Sequence, residues 1–260
     1  MALRFKSLGS GSSGNATVVE GRRAQCAPVR LLVDCGLGIK ALEKRLAQAQ
    51  LALTDINAVF ITHEHGDHVG CTPTLVRRLK IPVWMSQGTF AAIGSPDLAG
   101  MLHLVRDGER IDLGGVELSP FTVPHDAREP LQLTCTDGHT KLGILTDLGH
   151  ATAHVLSQLS SCNALLLECN HDAQLLEQSS YPAFLKRRVG GLHGHLSNAA
   201  AAEIAQAVHH AGLKHLVTAH LSLENNRPEL ARQAISAALG CRHDEIMVAD
   251  ALQGSPWLVV

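Results

Sequence analysis

The densest group of reactive side chains in the sequence is residues 62–68, which read THEHGDH. Residues two positions apart do not share a helix face, so His63 and His65 can approach one ion only from an extended segment that leaves a strand. Asp67 and His68 follow at the start of the next predicted helix, where they can serve a second ion. Neutral imidazole and carboxylate are the ligands expected for Zn, and they also suit Mn or Fe. The run therefore predicts a metal centre rather than a histidine-rich surface turn.

Three further candidates lie downstream, and they are needed because residues 62–68 alone are too few to complete two metal sites. His125, Asp147 and His220 each follow an apolar run that is typical of a buried strand. Taken singly, each is better explained as a cap or a hydrogen-bonded polar residue. Taken together and in this order they predict further ligands, and a carboxylate at Asp147 could bridge two ions.

One more histidine is a candidate for chemistry without being a ligand. Residues 192–198 read LHGHLSN and precede an alanine-rich helix, for which Ser197 or Asn198 is a natural N-cap. Two histidines beside a glycine exceed what capping needs. We therefore predict that His195 contacts a phosphate or protonates a leaving group.

Several other polar groups allow two interpretations. The Ser/Gly loop at residues 9–15 can present backbone N–H groups to a phosphate, or it can be a plain tight turn. Glu168 and His171 can support a ligand or contact substrate, or the cluster can serve only to cap a helix through Asn170 or Asp172. Asp34, after an apolar run, is expected to hydrogen-bond to a ligand rather than to bind metal itself.

The elements that must position these residues alternate between strands and helices. Strands are predicted at residues 3–8, 16–20, 31–34, 56–62, 165–167, 216–219 and 246–248, with several antiparallel strands between 102 and 146. Helices are predicted at residues 39–49, 67–79, 198–211 and 228–239. Two mixed halves, each a sheet covered by helices, predict one α/β domain over residues 1–260, built as a four-layer αββα sandwich.

Composition limits the classes of function. Hydrophobic residues make up 45% of the 260 residues, enough for a sizeable core. A formal charge of −2 provides no global cationic field, which disfavours a simple nucleic-acid-binding protein but not an enzyme whose bound metals supply local charge. Residues 77–80 and 186–188 are the only basic clusters; they are either solvated helix faces or contacts to a DNA backbone. Aromatic residues at 3% argue against a long base-stacking platform.

Cysteine usage and hydropathy indicate the compartment. The seven cysteines form no CxxC pair and no disulfide-like spacing. The first residues lack the apolar core of a signal peptide, and no segment approaches the roughly 20 apolar residues that span a bilayer. We expect a cytoplasmic protein with no membrane partner.

The order of these motifs resembles the metallo-β-lactamase superfamily over nearly the whole chain, and in particular its YycJ/WalJ group. The segments that carry the resemblance are HEHGDH at 63–68, SGSSGN at 10–15, VDCG at 33–36, HD at 125–126, GHLSN at 194–198 and HLS at 220–222. The resemblance implies the αββα metallo-β-lactamase fold and two metal sites. It assigns one ion to His63, His65 and His125, the other to Asp67, His68 and His220, with Asp147 bridging them.

The resemblance also implies a function, since members of that group are associated with 5′-to-3′ DNA exonuclease activity. We therefore expect a phosphodiester hydrolase that uses two divalent ions, Zn or Mn, with Fe as a third option. Two cations about 3.5–4 Å apart generate hydroxide at neutral pH and stabilise the attacking and leaving oxygens. Asp67 is placed to accept the proton of the attacking water.

Alternative functions share parts of this pattern. A small-molecule cyclic phosphodiesterase like PhnP is favoured by the low net charge, and a thioester hydrolase of the glyoxalase II type uses the same ligand set. Antibiotic hydrolysis is disfavoured because classical β-lactamases usually lack a ligating histidine at the position of His68. A non-catalytic module that has lost its metals is least favoured, because all seven candidate ligands are present. A basic groove leading to the site would indicate a polymer substrate, and a closed pocket a small one.

Overall fold

The computed structural model describes residues 2–260, which form two seven-stranded sheets and nine α-helices. The strands are β1 (Arg4–Gly9), β2 (Ala16–Gly21), β3 (Val29–Val33), β4 (Ala58–Phe60), β5 (Val83–Met85), β6 (Leu102–Leu104), β7 (Ile111–Asp112), β8 (Glu117–Thr122), β9 (Leu131–Thr136), β10 (Lys141–Leu145), β11 (Ala164–Glu168), β12 (His215–Ala219), β13 (Met247–Val248) and β14 (Leu258–Val259). The helices are α1 (Ile39–Gln48), α2 (Gly66–Val69), α3 (Thr72–Leu79), α4 (Gln87–Ala92), α5 (Ala153–Leu159), α6 (Ala173–Gln178), α7 (Ala183–Val189), α8 (Asn198–Val208) and α9 (Pro228–Leu239).

Each sheet is half antiparallel and half parallel. The first has the order β14-β1-β2-β3-β4-β5-β6, and the second the order β13-β12-β11-β10-β9-β8-β7. Strands β3 to β6 are parallel to one another, as are β10 to β13. Parallel neighbours end at the same edge of a sheet, so loops that follow β3 and β4 meet each other, and loops that follow β10, β11 and β12 do likewise.

Apolar side chains fill three layers. A central layer contains residues of both sheets, including Phe5 and Phe60 from the first and Leu133 and Val217 from the second. A second cluster packs the outer face of one sheet against α1 and α3, and a third packs the other sheet against α5, α8 and α9. The αββα sandwich predicted from the sequence is therefore confirmed. The shared central layer supports the proposal that residues 1–260 form one domain.

Some predicted elements were wrong in detail. The single helix expected at residues 67–79 is two helices, α2 and α3, because the chain turns sharply at Gly70. Its φ is +35°, and a Cβ there would collide with the carbonyl oxygen of Cys35. Strand β6, in the region expected to be antiparallel, pairs parallel with β5. Strand β14 was not predicted; it pairs antiparallel with β1.

None of the helices in residues 2–260 combines the length and the apolar character that crossing a bilayer requires.

Candidate metal centre

Ends of strands bring the predicted ligands together at one edge of the sandwich. His63 lies three residues beyond the end of β4, His65 precedes the short helix α2, and Asp67 and His68 lie within it. Later ligands follow β8, β10 and β12. The mutually close groups contain His63, His65, Asp67, His68, His125, Asp147 and His220, and one of them also includes Glu168 and His195. All seven candidates from the sequence therefore converge.

The first group consists of three imidazoles. The Nε2 atom of His63 lies 2.9 Å from Nδ1 of His65, which in turn lies 3.3 Å from Nε2 of His125. Nitrogen atoms around a tetrahedral ion with bonds of 2.0–2.1 Å would be separated by about 3.3 Å. Burial lowers the pKa of His63 and of His125, which favours the neutral imidazole that binds metals. The spacing of the three nitrogens, and the neutral rings favoured at His63 and His125, suit one ion.

The second group contains one carboxylate and two imidazoles. The Oδ2 atom of Asp67 lies 3.6 Å from Nε2 of His68 and 3.5 Å from Nε2 of His220. Asp147 lies between the two groups, with Oδ2 2.9 Å from Nε2 of His68 and Oδ1 3.8 Å from Nε2 of His125. This position supports the proposal that Asp147 bridges two ions.

Two buried atoms in this centre test whether a metal fits. Oδ2 of Asp147 and Nε2 of His220 are buried, and with His68 unprotonated at Nε2, as in a metal ligand, neither atom has a hydrogen-bond partner among residues 2–260. Leaving such atoms unpaired costs about 1–3 kcal/mol each, and buried polar atoms rarely lack a partner. Asp147 belongs to a group with His63 and His68, and His220 to a group with Asp67 and His68. A divalent cation bound in each group would give both atoms a partner. The donor set fits two divalent ions.

The outer nitrogens of the histidines fix which nitrogen faces the centre. Nδ1–H of His68 donates to Oδ2 of Asp34 at 2.8 Å, and Nδ1–H of His125 donates to the carbonyl oxygen of Gly194 at 3.0 Å. Asp34 also accepts the backbone N–H of Thr62 at 2.9 Å. In the neutral imidazole each of these bonds leaves Nε2 unprotonated and directed at the group of ligands. Although burial opposes the charged ring, Asp147 and Asp34 raise the pKa of His68 to about 10, so a bound cation would take the place of its Nε2 proton. Asp34 therefore has the supporting position that the sequence suggested.

Glu168, whose role the sequence left open, is a central supporting residue. It is completely buried at the end of β11. Its Oε1 accepts Nδ1–H of His220 at 2.9 Å and Nδ1–H of His195 at 2.8 Å, and its Oε2 accepts the backbone N–H groups of Leu148 and Leu196 at 3.0 Å. Although burial opposes ionisation, His195 and His220 lower the pKa of Glu168. The sequence signal for this role was an acidic residue directly after the apolar run at residues 165–167.

Replacing Glu168 with glutamine is expected to weaken metal binding about 10- to 100-fold, the usual effect of losing a hydrogen-bonded partner of a ligating histidine. The amide keeps the shape of the side chain but removes the charge that holds two N–H donors. Affinity is measured by competition with a chromophoric chelator. The control is Glu203→Gln, which changes an exposed side chain on α8. Equal affinities of E168Q and E203Q would refute the supporting role.

His195 reaches the same site from the loop between α7 and α8. Its Nδ1 lies 2.8 Å from Glu168 and 3.2 Å from Oδ1 of Asp147, and its side chain is 21% exposed. Burial opposes the charged ring, but the Glu168 and Asp147 carboxylates outweigh it and raise the pKa of His195 to about 11. With Nδ1 engaged, Nε2 is the nitrogen available to a substrate in the adjoining cavity.

The Ser/Gly loop supports ligands from both halves of the fold. The hydroxyl of Ser10 accepts the backbone N–H of His220 at 2.7 Å, and the backbone N–H of Asn15 donates to the carbonyl oxygen of Asp67 at 2.8 Å. A Cβ at Gly36 would collide with that same carbonyl oxygen, so the loop that carries Asp67 packs directly against the backbone of Gly36. Ser12, in the same loop, lines the cavity, which keeps the phosphate-binding interpretation open to test.

A cavity of about 440 Å³ opens beside these ligands. Its lining includes the candidate ligands Asp67, Asp147 and His220, and also Tyr181 and Arg188. The other basic cluster, residues 77–80, ends α3, and Nη1 of Arg78 pairs with Glu43 on α1 at 2.9 Å. Only one of the two basic clusters therefore contributes to the cavity.

Comparisons with known proteins agree with this geometry. The model of a family described as "Beta-lactamase superfamily domain" matches residues 29–221. Exodeoxyribonuclease YycJ of Bacillus anthracis is 34% identical over 92% of this chain and 90% of its own. Exodeoxyribonuclease WalJ of Streptococcus pneumoniae is 30% identical over 90% of this chain and 87% of its own. The crystal structure of the metallo-beta-lactamase fold protein YhfI from Bacillus subtilis superimposes with a TM-score of 0.76, at 16% identity and covering 99% of each chain.

Proposed function

The chain belongs to the beta-lactamase superfamily, and we propose that it is a binuclear metal-dependent phosphodiester hydrolase that degrades DNA from its 5′ end. The family, the named relatives and the cluster of histidine and aspartate ligands support the broader description, a metal-dependent hydrolase of the nuclease and phosphodiesterase kind. The observation that carries the binuclear proposal is the position of Asp147 between two ligand groups. Cysteine usage in the sequence supports the further proposal of a cytoplasmic location.

The chemistry divides between the ions and the side chains. Two divalent ions, Zn or Mn, would supply the positive charge that neutralises the phosphoryl group and makes water a stronger nucleophile. Asp67, with a side chain 24% exposed, lies where it can take the proton of the attacking water. Burial opposes its ionisation, but His220 and His68 keep the pKa of Asp67 below the usual range, so the carboxylate is ready to accept a proton.

His195 would complete the reaction at the leaving oxygen. Glu168 holds its Nδ1, and the ring lines the cavity together with the Ser/Gly loop residue Ser12. Because neighbouring carboxylates favour the protonated ring, His195 can donate a proton to the departing sugar oxygen. The same ring can hydrogen-bond to a phosphate oxygen, as the sequence suggested.

DNA is favoured over a small substrate by similarity along most of the chain to two proteins named as exodeoxyribonucleases. The volume of the cavity, about 440 Å³, falls in the range of small-molecule sites, and this favours a cyclic phosphodiesterase as the second candidate. Arg188 on the rim supplies a cation suited to a DNA backbone. The two candidates differ in whether a polymer end is degraded.

The test uses duplex DNA labelled at its 5′ end or at its 3′ end, incubated with metal-loaded protein. We expect the 5′ label to be released as short products at the earliest times, while the 3′ label shortens progressively. Circular duplex of the same sequence should resist cleavage. Hydrolysis of bis(p-nitrophenyl) phosphate and of a cyclic phosphodiester, with all DNA left intact, would instead establish the small-molecule candidate. Hydrolysis of a thioester alone would refute phosphodiester chemistry.

A further inference from the structure

The wall of the cavity formed by α7 has no role in the chemistry described above. Leu185 and Arg188 of α7 line the cavity, as does Tyr181 two residues before the helix. Helix α7 has no buried residue, and the Phe184 side chain on it is 66% exposed. Side chains of α7 therefore contribute little to the core, and they remain accessible to a ligand in the cavity.

The end of α7 is nevertheless fixed firmly to the metal centre. The carbonyl oxygen of Val189 accepts the backbone N–H of His195 at 2.8 Å. A Cβ at Gly194 would collide with the carbonyl oxygens of Arg188 and Val189, so the two segments are in direct backbone contact. The carbonyl oxygen of Gly194 in turn receives the Nδ1–H of the ligand His125. The backbone of Arg188 thus has a defined position relative to the candidate ligand His125.

The side chain of Arg188 is also oriented toward that centre. Its Nε donates to Oδ2 of Asp126 at 2.6 Å, and Oδ1 of the same carboxylate lies 3.4 Å from Nε2 of His125. The side chain is 60% exposed, so the guanidinium is held beside the ligands without being buried. Its Nη1 and Nη2 groups provide the paired donors that match two oxygens of a phosphate.

Charge gives this arginine a specific role. Among the described residues that line the cavity, Arg188 is the only lysine or arginine, whereas Asp67, Asp126 and Asp147 are acidic. Metal ions would offset the carboxylates at the cleaved phosphate, but a neighbouring phosphate of a polymer would need a cation of its own. Only the carboxylate of Asp126 separates Arg188 from the candidate ligand His125, so Arg188 can contact a phosphate adjacent to the metal centre.

We propose that Arg188 binds the phosphate next to the one that is cleaved, and that Tyr181 stacks on a base of the same strand. The proposal rests on the proposed function, because it requires a DNA strand in the cavity. Tyr181 is the only tyrosine in the chain, it is half-buried on the cavity wall, and an aromatic ring accepts any base. A contact to one phosphate and one base fits an enzyme that grips a strand end without reading its sequence.

The test compares Arg188→Ala with Arg187→Ala, which removes an exposed arginine from the same helix that does not line the cavity. On end-labelled DNA, R188A is expected to raise KM about 10- to 100-fold, as loss of a charge-assisted contact does. The slope of log KM against log salt concentration should fall by about one. R187A should match the wild-type protein in both measurements. Melting curves of both variants establish that each is folded.

Conservative variants separate binding chemistry from local packing. Arg188→Lys keeps the charge but loses the paired donors, so its KM should lie between those of R188A and the wild type. Tyr181→Phe keeps the ring and should retain the wild-type KM, while Tyr181→Ala should raise KM about 10-fold or more. If the wild-type enzyme degrades DNA and R188A has the KM and salt slope of R187A, the inference is wrong and the proposed function stands. If the wild-type enzyme leaves DNA intact, both are wrong.

Discussion

Replacing Asp67 with alanine is expected to lower hydrolysis of both DNA and bis(p-nitrophenyl) phosphate by about 1,000-fold or more. The variant loses a side chain that belongs to the second ligand group and the group placed to accept a proton, and general base catalysis alone contributes about 10²- to 10⁴-fold. Initial rates measured with saturating Zn or Mn give the effect directly. Because both substrates need the same attacking water, both rates should fall together.

The matched control for D67A is Asp112→Ala. Asp112 ends β7 and pairs with Arg23, and its side chain is 54% exposed. It lies outside the cavity that contains the ligands, so D112A should hydrolyse both substrates at the wild-type rates. A D67A protein that is folded and retains more than about a tenth of the activity would remove Asp67 from the chemistry.

Replacing His195 with alanine is expected to lower kcat on DNA about 10²- to 10⁴-fold, the contribution of a positioned general acid. The loss should depend on the leaving group. A sugar oxygen needs a proton to depart, whereas p-nitrophenolate departs as the anion, so bis(p-nitrophenyl) phosphate should lose less than about 10-fold. Both kcat values are measured under saturating substrate.

The metal content of H195A distinguishes this role from a structural one. His195 lies close to Asp147 and His220, but Glu168 holds its Nδ1 and it is not among the seven proposed ligands, so the variant should bind the same number of ions as the wild-type protein. An equal loss on the two substrates would contradict the role in protonating the leaving group. A fall in bound metal would instead make His195 a supporting residue.

Much of the candidate site was predictable because each ligand follows an apolar run. Ile61 and Thr62 precede His63, and residues 216–219 precede His220, so the sequence pattern places both histidines at strand ends. Parallel strands then bring such ends to one edge without knowledge of the full topology. Assigning the ligands to separate ions needed the family resemblance, and the assignment remains a prediction that the observed grouping supports.

The supporting contacts were less predictable, because they join residues that are distant in sequence. Glu168 and His220 are 52 positions apart, and Asp34 and His68 are 34 apart. The break at Gly70 likewise depends on how closely Cys35 approaches, which helical periodicity does not report. Strand β14, with two residues, is too short to show an alternating pattern.

The two basic clusters illustrate what only the fold could decide. Residues 77–80 and 186–188 have similar composition, and either could have been a solvated helix face. The fold pairs Arg78 with Glu43 on α1, and it places Arg188 on the wall of the cavity beside Asp126. Only the second cluster can therefore reach a strand that enters the site.

Counting bound metal during reconstitution tests the binuclear claim most directly. Metal-free protein is titrated with Zn or Mn, and bound ions per chain are measured by mass spectrometry alongside the rate of phosphodiester hydrolysis. We predict saturation at two ions per chain, with most of the activity gained as the second ion binds. Saturation at one ion with full activity, or no binding at all, would contradict the assignment of two ligand groups bridged by Asp147.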